Sequence, residues 1–237
     1  MLFKKTREEG EKESNIKVPR EKPLTIRING RKLTTAMISP SNKKEFVIGH
    51  LLSQGIIGEF DDIASLRIED NEASVVADNI PFEETKEVLS SGCGAGGFSK
   101  DTIKTVDSDY NFSLEEISDS MIEILKAGDT NGVHVAGVFS DNEKFLAKDI
   151  GRHNCIDKII GISELNNLEF DKSYIVSTGR LSSDMVIKCS NVNIPVSTSH
   201  KSTTSLAIEL AKKSGISLII YTGKDSSIMS CPEKISY

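Results

Sequence analysis

The sequence has no tryptophan, and aromatic residues make up only 5% of its 237 positions. No apolar run approaches the roughly 18 residues that a membrane helix needs, which argues against a membrane protein. The formal net charge of −6 argues against non-specific binding to duplex nucleic acid. The first 20 residues are dense in Lys and Glu and lack the apolar stretch of a secretory signal, so we expect a cytoplasmic protein.

Cysteine is also scarce, and no two cysteines are spaced as a pair of metal ligands. The four cysteines are Cys93, Cys155, Cys189 and Cys231. Without a secretory signal, this wide spacing argues against a disulfide framework. A zinc-dependent nucleobase deaminase needs a His-x-Glu and a Pro-Cys-x-x-Cys motif. His134 and His153 both lack the acidic residue two positions later, so we expect no metal site.

Cys93 lies in a glycine-rich segment, Ser-Ser-Gly-Cys-Gly-Ala-Gly-Gly, at residues 90–97. Glycine tolerates unusual backbone angles and leaves no side chain to block an approaching partner. The small and polar neighbours argue against a buried structural cysteine. A tight turn with an incidental thiol is the alternative interpretation, but the composition favours an accessible thiol with a chemical role.

The first half of the chain predicts a charged arm followed by a small domain. Residues 1–22 are rich in charge and are predicted to be disordered. In residues 23–112, Asn29-Gly30 is a hairpin signal between two alternating strands. Ser41 is placed to cap a helix that ends near Gly55. Strands are predicted around residues 65–68 and 73–77, which makes this region a small α+β domain.

Residues 113–237 predict a second domain in which strands and helices alternate. Ser113 is placed to cap an amphipathic helix over residues 113–127. Strands are predicted at 133–139, 144–148, 174–177, 194–198 and 217–221, and helices at 154–165, 182–190 and 203–213. This alternation is typical of a three-layer α/β domain with parallel strand pairs, in which ligands bind where strands lead into helix starts.

The first such junction lies at residues 149–158. It places Arg152, His153 and Asn154 at the start of a helix, where free N–H groups and the helix dipole attract anions. Arg152 is suited to bidentate contact with a phosphate or carboxylate. The alternative is that Asn154 only caps the helix while Arg152 pairs with Asp149 on the surface. The variety of polar groups in this short stretch favours a binding site.

Two further junctions have similar chemistry. Gly179 and Arg180 follow a predicted strand, and a capping box that starts at Ser182 explains part of the stretch structurally. Residues 197–204 form a turn rich in hydroxyl groups that includes His200 and Thr203. Alone, this turn is an ordinary polar loop. Together, the three junctions offer donors that suit a phosphorylated ligand, and the two arginine junctions are predicted to lie at helix starts on the same edge of the sheet.

With these residues assembled, the chain resembles the FdhD family of formate dehydrogenase accessory sulfurtransferases. The resemblance runs from about Pro23 to the C-terminus. Its most specific parts are Asp-Ile-Gly-Arg-His-Asn at 149–154 with Asp-Lys at 157–158, and Gly-Arg-Leu-Ser at 179–182 with Asp-Met at 184–185. The segments 204–211 and 51–57 add support. The family more often has Glu where this chain has Asp184.

The resemblance implies a fold, a chemistry and partners. The fold would be a cytidine-deaminase-like three-layer α/β domain with a small N-terminal α+β domain. Cys93 would accept sulfur as a persulfide from a cysteine desulfurase. The sulfur would pass to the molybdenum or tungsten bis(molybdopterin guanine dinucleotide) of formate dehydrogenase, and the protein would be a homodimer. The family loop is usually Cys-Gly-x-Cys-Gly, and Gly96 stands here in place of the second cysteine.

Candidate cofactor contacts follow from the junctions and from the resemblance. The junctions supply Arg152, His153, Arg180, Ser182 and Thr203. The resemblance adds a C-terminal stretch with a weaker match: Tyr221, Thr222, Gly223, Lys224, Asp225 and Ser226. GDP would serve as a fragment of the cofactor. The competing hypothesis is a cofactor-binding chaperone without sulfur transfer. Activation of formate dehydrogenase by a Cys93→Ser protein would distinguish the chaperone from the sulfur carrier.

Overall fold

A computed structural model describes residues 3–7, 10–14, 18–78, 80, 103–128, 132–223 and 225–237. The helices in these ranges are α1 (Lys43–Ser53), α2 (Leu114–Ala127), α3 (Arg152–Leu165), α4 (Ser183–Asn191) and α5 (Ser205–Ser214). The strands are β1 (Phe3–Arg7), β2 (Gly10–Ser14), β3 (Lys22–Ile28), β4 (Arg31–Ile38), β5 (Ile63–Glu69), β6 (Glu72–Ala77), β7 (Phe112–Ser113), β8 (His134–Phe139), β9 (Lys144–Asp149), β10 (Tyr174–Ser177), β11 (Val196–Ser199), β12 (Ser217–Thr222), β13 (Asp225–Ile228) and β14 (Ile235–Ser236). None of these helices has the length and apolarity needed to cross a membrane.

The first two strands pair with each other as an antiparallel ladder, with Phe3 opposite Ser14. This pairing differs from the disordered arm that the charged composition predicts. A two-stranded ladder is made by backbone hydrogen bonds, so composition alone does not indicate it. The domain boundaries at residues 22 and 112 stay predictions.

The small N-terminal unit is a four-stranded sheet in the order β4-β3-β6-β5. β3 pairs antiparallel with β4 and parallel with β6. The predicted hairpin turn is confirmed, with Asn29 and Gly30 at φ 48° and 80°. The Asn29 side chain also donates to the carbonyl oxygen of Ala77 at 2.8 Å and accepts from its N–H at 3.1 Å. Asn29 therefore joins the hairpin turn to the end of β6.

The large unit is a six-stranded sheet in the order β13-β12-β11-β10-β8-β9. β10, β11 and β12 are parallel, whereas β8, β9 and β13 join through antiparallel pairs. Residues of α2 such as Ile117 pack on one face against Val176. Residues of α3, α4 and α5 pack on the other face, where Ile159 and Ile175 belong to one cluster. The expectation of a three-layer α/β arrangement is confirmed, and the cytidine-deaminase-like label stays a prediction.

The two units share one apolar core through the packing of α1 on α3. Leu24 of the small sheet and Leu218 of the large sheet belong to the same cluster. Gly49 and Gly161 allow α1 and α3 to approach closely. A Cβ added at Gly49 would lie 2.6 Å from the backbone nitrogen of Gly161 and well inside contact distance of the Asp157 carbonyl oxygen. These glycines therefore set the separation of the two helices.

A buried ion pair strengthens the same region. Asp157 of α3 accepts from Ser53 at 2.6 Å, contacts His50 at 2.9 Å and pairs with Lys188 of α4. Burial acts to raise the pKa of Asp157, but Lys188 and His50 outweigh it and lower the pKa. The carboxylate is therefore charged at neutral pH and links α1, α3 and α4.

Two helix starts were predicted from capping residues, with different outcomes. Ser113 caps α2, and its hydroxyl accepts from the N–H of Glu116 at 3.4 Å. Ser41 does not cap α1, so that prediction is wrong. The N-cap is Asn42, which has φ 53° and makes no side-chain capping bond. Its positive φ, a conformation that Asn tolerates, turns the chain into the helix one residue later.

Candidate functional site

The strand ends that carry the predicted junctions meet along one edge of the large sheet. In the register, His134 at the start of β8 lies opposite Asp149 at the end of β9. Ser177 at the end of β10 lies opposite Ser199 at the end of β11, and β12 runs parallel to both. The starts of α3, α4 and α5 follow at this edge. The prediction that the two arginine junctions share an edge is confirmed.

At the first junction, Arg152 and His153 occupy the first turn of α3. Gly151 is the N-cap, so no side chain caps this helix. Asn154 was the predicted alternative cap, but its Nδ2 donates to the Met37 carbonyl at 2.7 Å and to Asp149 Oδ1 at 2.9 Å. At the start of α3, the N-cap provides no side-chain capping bond, and the helix dipole there favours an anion.

Asp149, which precedes this turn, is fully buried rather than on the surface. Its carboxylate lies 2.7 Å from Nζ of Lys158, and both side chains are 0% exposed. It also accepts from the backbone N–H groups of Ser39 and Gly151, both at 2.9 Å. Lys158 in turn donates to the Ser39 carbonyl at 2.9 Å. The network fixes the turn that leads to Arg152 and joins it to the end of β4.

The second junction lies directly against the first. A Cβ added at Gly179 would come within 2.8 Å of Cβ and 3.3 Å of Cδ of Arg152, so only glycine permits this approach. Arg180 follows and is exposed. Ser182 is the N-cap of α4 but makes no capping bond, and its Oγ is buried without a hydrogen-bond partner. The prediction of a capping box at Ser182 is therefore wrong. The Ser182 hydroxyl is free to form a hydrogen bond with a ligand.

The third junction is joined to the second by backbone bonds. Leu181 and Thr203 form an isolated parallel bridge, and the N–H of Leu181 donates to the carbonyl of Ser202 at 3.2 Å. The Ser199 hydroxyl donates to the Gly179 carbonyl at 2.7 Å. Oγ1 of Thr203 is buried without a hydrogen-bond partner. The three junctions therefore form one continuous surface, which includes the unsatisfied hydroxyl groups of Ser182 and Thr203.

His153 and Asp184 connect the first turns of α3 and α4. His153 Nε2 lies 3.4 Å from Asp184 Oδ2. This contact with His153 is the main cause that lowers the pKa of the Asp184 carboxyl, against the opposing effect of burial. Asp184 therefore holds His153 in place and offsets part of the positive charge at this edge.

The structure adds His134, which sequence reasoning considered only as a zinc ligand. Its Nδ1 lies 3.5 Å from Oγ1 of Thr178. Burial and then the nearby charge of Arg152 lower the pKa of His134, so it is neutral at neutral pH. Only the register of β8 with β9 brings it to the site. Among the described residues, no group of three or more His, Cys, Asp or Glu side chains is arranged to hold a metal ion.

The C-terminal candidates lie at the hairpin between β12 and β13. Tyr221 is 8% exposed, and its hydroxyl is 2.8 Å from that of Ser118 on α2, so the ring belongs to the core. Of the neighbouring candidates, Thr222, Gly223 and Asp225 are exposed and Ser226 is half-buried. Lys224 lies outside the described residues. The cofactor contacts of this hairpin stay predictions.

Cys93 and its glycine-rich segment lie outside the described residues. The other three cysteines are Cys155, Cys189 and Cys231. Cys155 and Cys189 are buried, and burial raises the pKa of both thiols, that of Cys189 to about 12. Burial, and then Glu233, raise the pKa of Cys231. None of the three is a good thiolate nucleophile at neutral pH.

Comparison with known proteins places this fold and edge in one family. The model of the FdhD/NarQ family matches residues 19–236. The chain is 30% identical over 226 residues to the sulfur carrier protein FdhD of Methanothermobacter thermautotrophicus, covering 92% of this chain and 91% of that protein. It is 33% identical over 233 residues to the FdhD of Bacillus subtilis, covering 91% and 88%.

A solved structure from Desulfotalea psychrophila, assigned as a formate dehydrogenase accessory protein, has a similar fold. It superposes with a TM-score of 0.81 at 28% identity, over 100% of this chain and 98% of that one. The match spans both sheets and every junction described above. The chain therefore belongs to the FdhD/NarQ family.

Proposed function

We propose that this protein is a sulfur carrier that transfers persulfide sulfur from Cys93 to a molybdenum or tungsten bis(molybdopterin guanine dinucleotide) substrate. The observation that carries the proposal is the pair of buried hydroxyl groups of Ser182 and Thr203, which have no partner. Ser182 lies at the start of α4, which like the start of α3 at Arg152 has no side-chain capping bond, and Thr203 is bridged to Leu181 next to it. Phosphate oxygens would accept from these hydroxyls, from N–H groups and from guanidinium groups. The residues present therefore fit a phosphorylated substrate.

The chemistry of the thiols supports Cys93 as the carrier. In the loading step, the Cys93 thiolate attacks the terminal sulfur of the donor's persulfide, a new S–S bond forms and the donor's thiolate leaves. Such an attack requires an accessible thiolate. The raised pKa values of Cys155, Cys189 and Cys231 make those thiols poor nucleophiles. Cys93, with glycines on both sides, is the remaining thiol.

The described residues on either side of the segment that bears Cys93 limit how far its thiol can reach. Before the segment, the Asp78 N–H donates to Asp62, next to the C-terminal end of α3. After it, the Val106 N–H donates to Ser214 at the end of α5. The 14 residues of α3 and the ten residues of α5 place these two points about 21 Å and about 15 Å from the helix starts at the edge. The ten residues from Cys93 to Ile103 span at most about 33 Å, so the thiol is within reach.

The proposal includes partners. A cysteine desulfurase would supply the persulfide, and formate dehydrogenase would receive the sulfurated cofactor. The names of the relatives support the accessory role. We propose a homodimer, as the family resemblance implies. Restored formate dehydrogenase activity with Cys93→Ser would instead favour a chaperone without sulfur transfer.

We expect sulfur loading at Cys93 alone. After incubation with a cysteine desulfurase and cysteine, intact mass spectrometry should show one added sulfur atom, and peptide analysis should place it on Cys93. A Cys93→Ser protein should remain unmodified, whereas a Cys231→Ser protein, which removes the half-buried thiol, should load normally. Sulfur mainly on Cys155, Cys189 or Cys231 would contradict the assignment.

We expect both arginines of the edge to contribute to phosphate binding. Replacing Arg152 or Arg180 with Ala removes a charge-assisted contact of about 1.5–3 kcal/mol, so GDP affinity should fall about tenfold or more. Calorimetric titration with GDP measures this. Arg27→Ala is the matched control, because Arg27 lies on the small sheet, where it pairs with Glu72 at 3.1 Å. Equal GDP affinity in wild type and both edge variants would rule out phosphate binding there.

A further inference from the structure

The edge has buried neutral polar groups as well as cationic ones. Nδ1 of His200, just beyond β11, is buried without a hydrogen-bond partner. Thr198, two residues earlier, is 0% exposed, and its hydroxyl also has no partner. Buried polar atoms without partners are rare, and each calls for an explanation such as a ligand that is not present.

The electrostatic environment of His200 includes His134. Burial, then Lys201 and then His134 lower the pKa of His200. Burial and then Arg152 lower the pKa of His134. The two rings are therefore both neutral at neutral pH, and each has one donor and one acceptor nitrogen. Nδ1 of His134 faces Thr178, whereas Nδ1 of His200 has no such partner.

The charged groups and the neutral groups of the edge suit different parts of a ligand. Phosphate groups carry negative charge and favour the guanidinium groups of Arg152 and Arg180 and the uncapped helix starts. A neutral imidazole beside buried hydroxyls instead matches an uncharged group that both donates and accepts hydrogen bonds, such as the edge of a nucleobase. A site that hydrogen-bonds such a group rejects analogues that lack it, because its own polar atoms would then stay unpaired.

We propose that Nδ1 of His200 hydrogen-bonds the nucleobase of the bound substrate, while the arginines contact its phosphates. This assignment rests on the proposed function, because it requires a nucleotide at the edge. It makes His200 a specificity-determining residue that sequence motifs did not single out. Its position one residue beyond β11 places it beside the second and third junctions.

The test compares GDP with inorganic diphosphate, which lacks the base. His200→Ala should weaken GDP binding about three- to tenfold in calorimetry, the effect of one neutral hydrogen bond, and leave diphosphate binding unchanged. His200→Asn should retain GDP affinity, because its amide occupies the position of Nδ1. Ser202→Ala, an exposed neighbour in the same turn, is the matched control. Arg152→Ala should weaken both ligands.

The outcomes separate the two proposals. Wild-type GDP affinity in His200→Ala, with wild type binding GDP, would overturn the role of His200 and leave the proposed function standing. Equal loss of GDP and diphosphate would also overturn it, because the effect would then be on phosphate binding. Failure of the wild type to bind either ligand would overturn both proposals.

Discussion

Asp149→Ala is expected to destabilise the fold by about 3–5 kcal/mol, the cost of leaving one partner of a buried ion pair without the other. Lys158 would stay fully buried with its charge uncompensated. The N–H groups of Ser39 and Gly151 would lose their acceptor at the same time. Urea unfolding monitored by circular dichroism measures the loss as a lower midpoint at an unchanged slope.

Two control variants test whether the loss of stability in Asp149→Ala comes from the burial of the ion pair and from the charge left on Lys158. Glu123→Ala removes a pair with Lys144 that is largely exposed, at 3.0 Å, and should cost at most about 1 kcal/mol. An Asp149→Leu, Lys158→Met double variant removes both charges and should recover much of the stability. A cost for Asp149→Ala no larger than that for Glu123→Ala would contradict the buried network.

Local signals predicted the elements of this fold well. The strand predicted at residues 174–177 has the bounds of β10, because a short apolar run between turn residues is a local pattern. The start of α3 was predicted two residues late. Asn154 is a typical cap by residue type, but the cap is Gly151, and the Asn154 side chain contacts Met37, a residue distant in sequence. Capping preferences cannot anticipate such a contact.

The site was predicted in part. Glycine and arginine at two helix starts were enough to predict that Arg152 and Arg180 share an edge, because parallel strands end on the same side. The burial of Asp149 could not be predicted, since its partner Ser39 belongs to the other unit of the chain. His134 reaches the edge only through the antiparallel register of β8. The features that could not be predicted are therefore contacts between segments that are distant in sequence.

The Asp149 network also relates the site to the small sheet. Ser39 follows β4 and donates its N–H to Asp149, while the Ser39 hydroxyl accepts from the N–H of Ile150 at 3.2 Å. The same carboxylate holds Gly151, the cap before Arg152. The small unit therefore supports the turn that precedes Arg152, so the geometry of the edge depends on both units being folded.

Gly49→Ala is expected to destabilise the protein by about 2 kcal/mol or more. Alanine would gain about 1 kcal/mol from its higher helix propensity. Its methyl group, however, would overlap the backbone of α3 at Asp157 and Gly161, where no side chain can rotate away. Overpacking of this kind costs typically 1–3 kcal/mol, and more where backbone must move, so α1 and α3 would have to separate. Thermal and urea unfolding measure the net effect.

Two further variants test whether the destabilisation expected in Gly49→Ala comes from the contact between α1 and α3. Gly161→Ala places a methyl group 2.9 Å from the Gly49 nitrogen and against the Glu45 carbonyl, so it should destabilise to a similar degree. Gly58→Ala is the control, because a Cβ there would meet only Asp62 at an ordinary distance of 3.5 Å. Because α1 carries Ser53 and His50 to Asp157, separating the helices would also weaken that buried ion pair. Wild-type stability in Gly49→Ala or Gly161→Ala would show that the two helices are not in backbone contact.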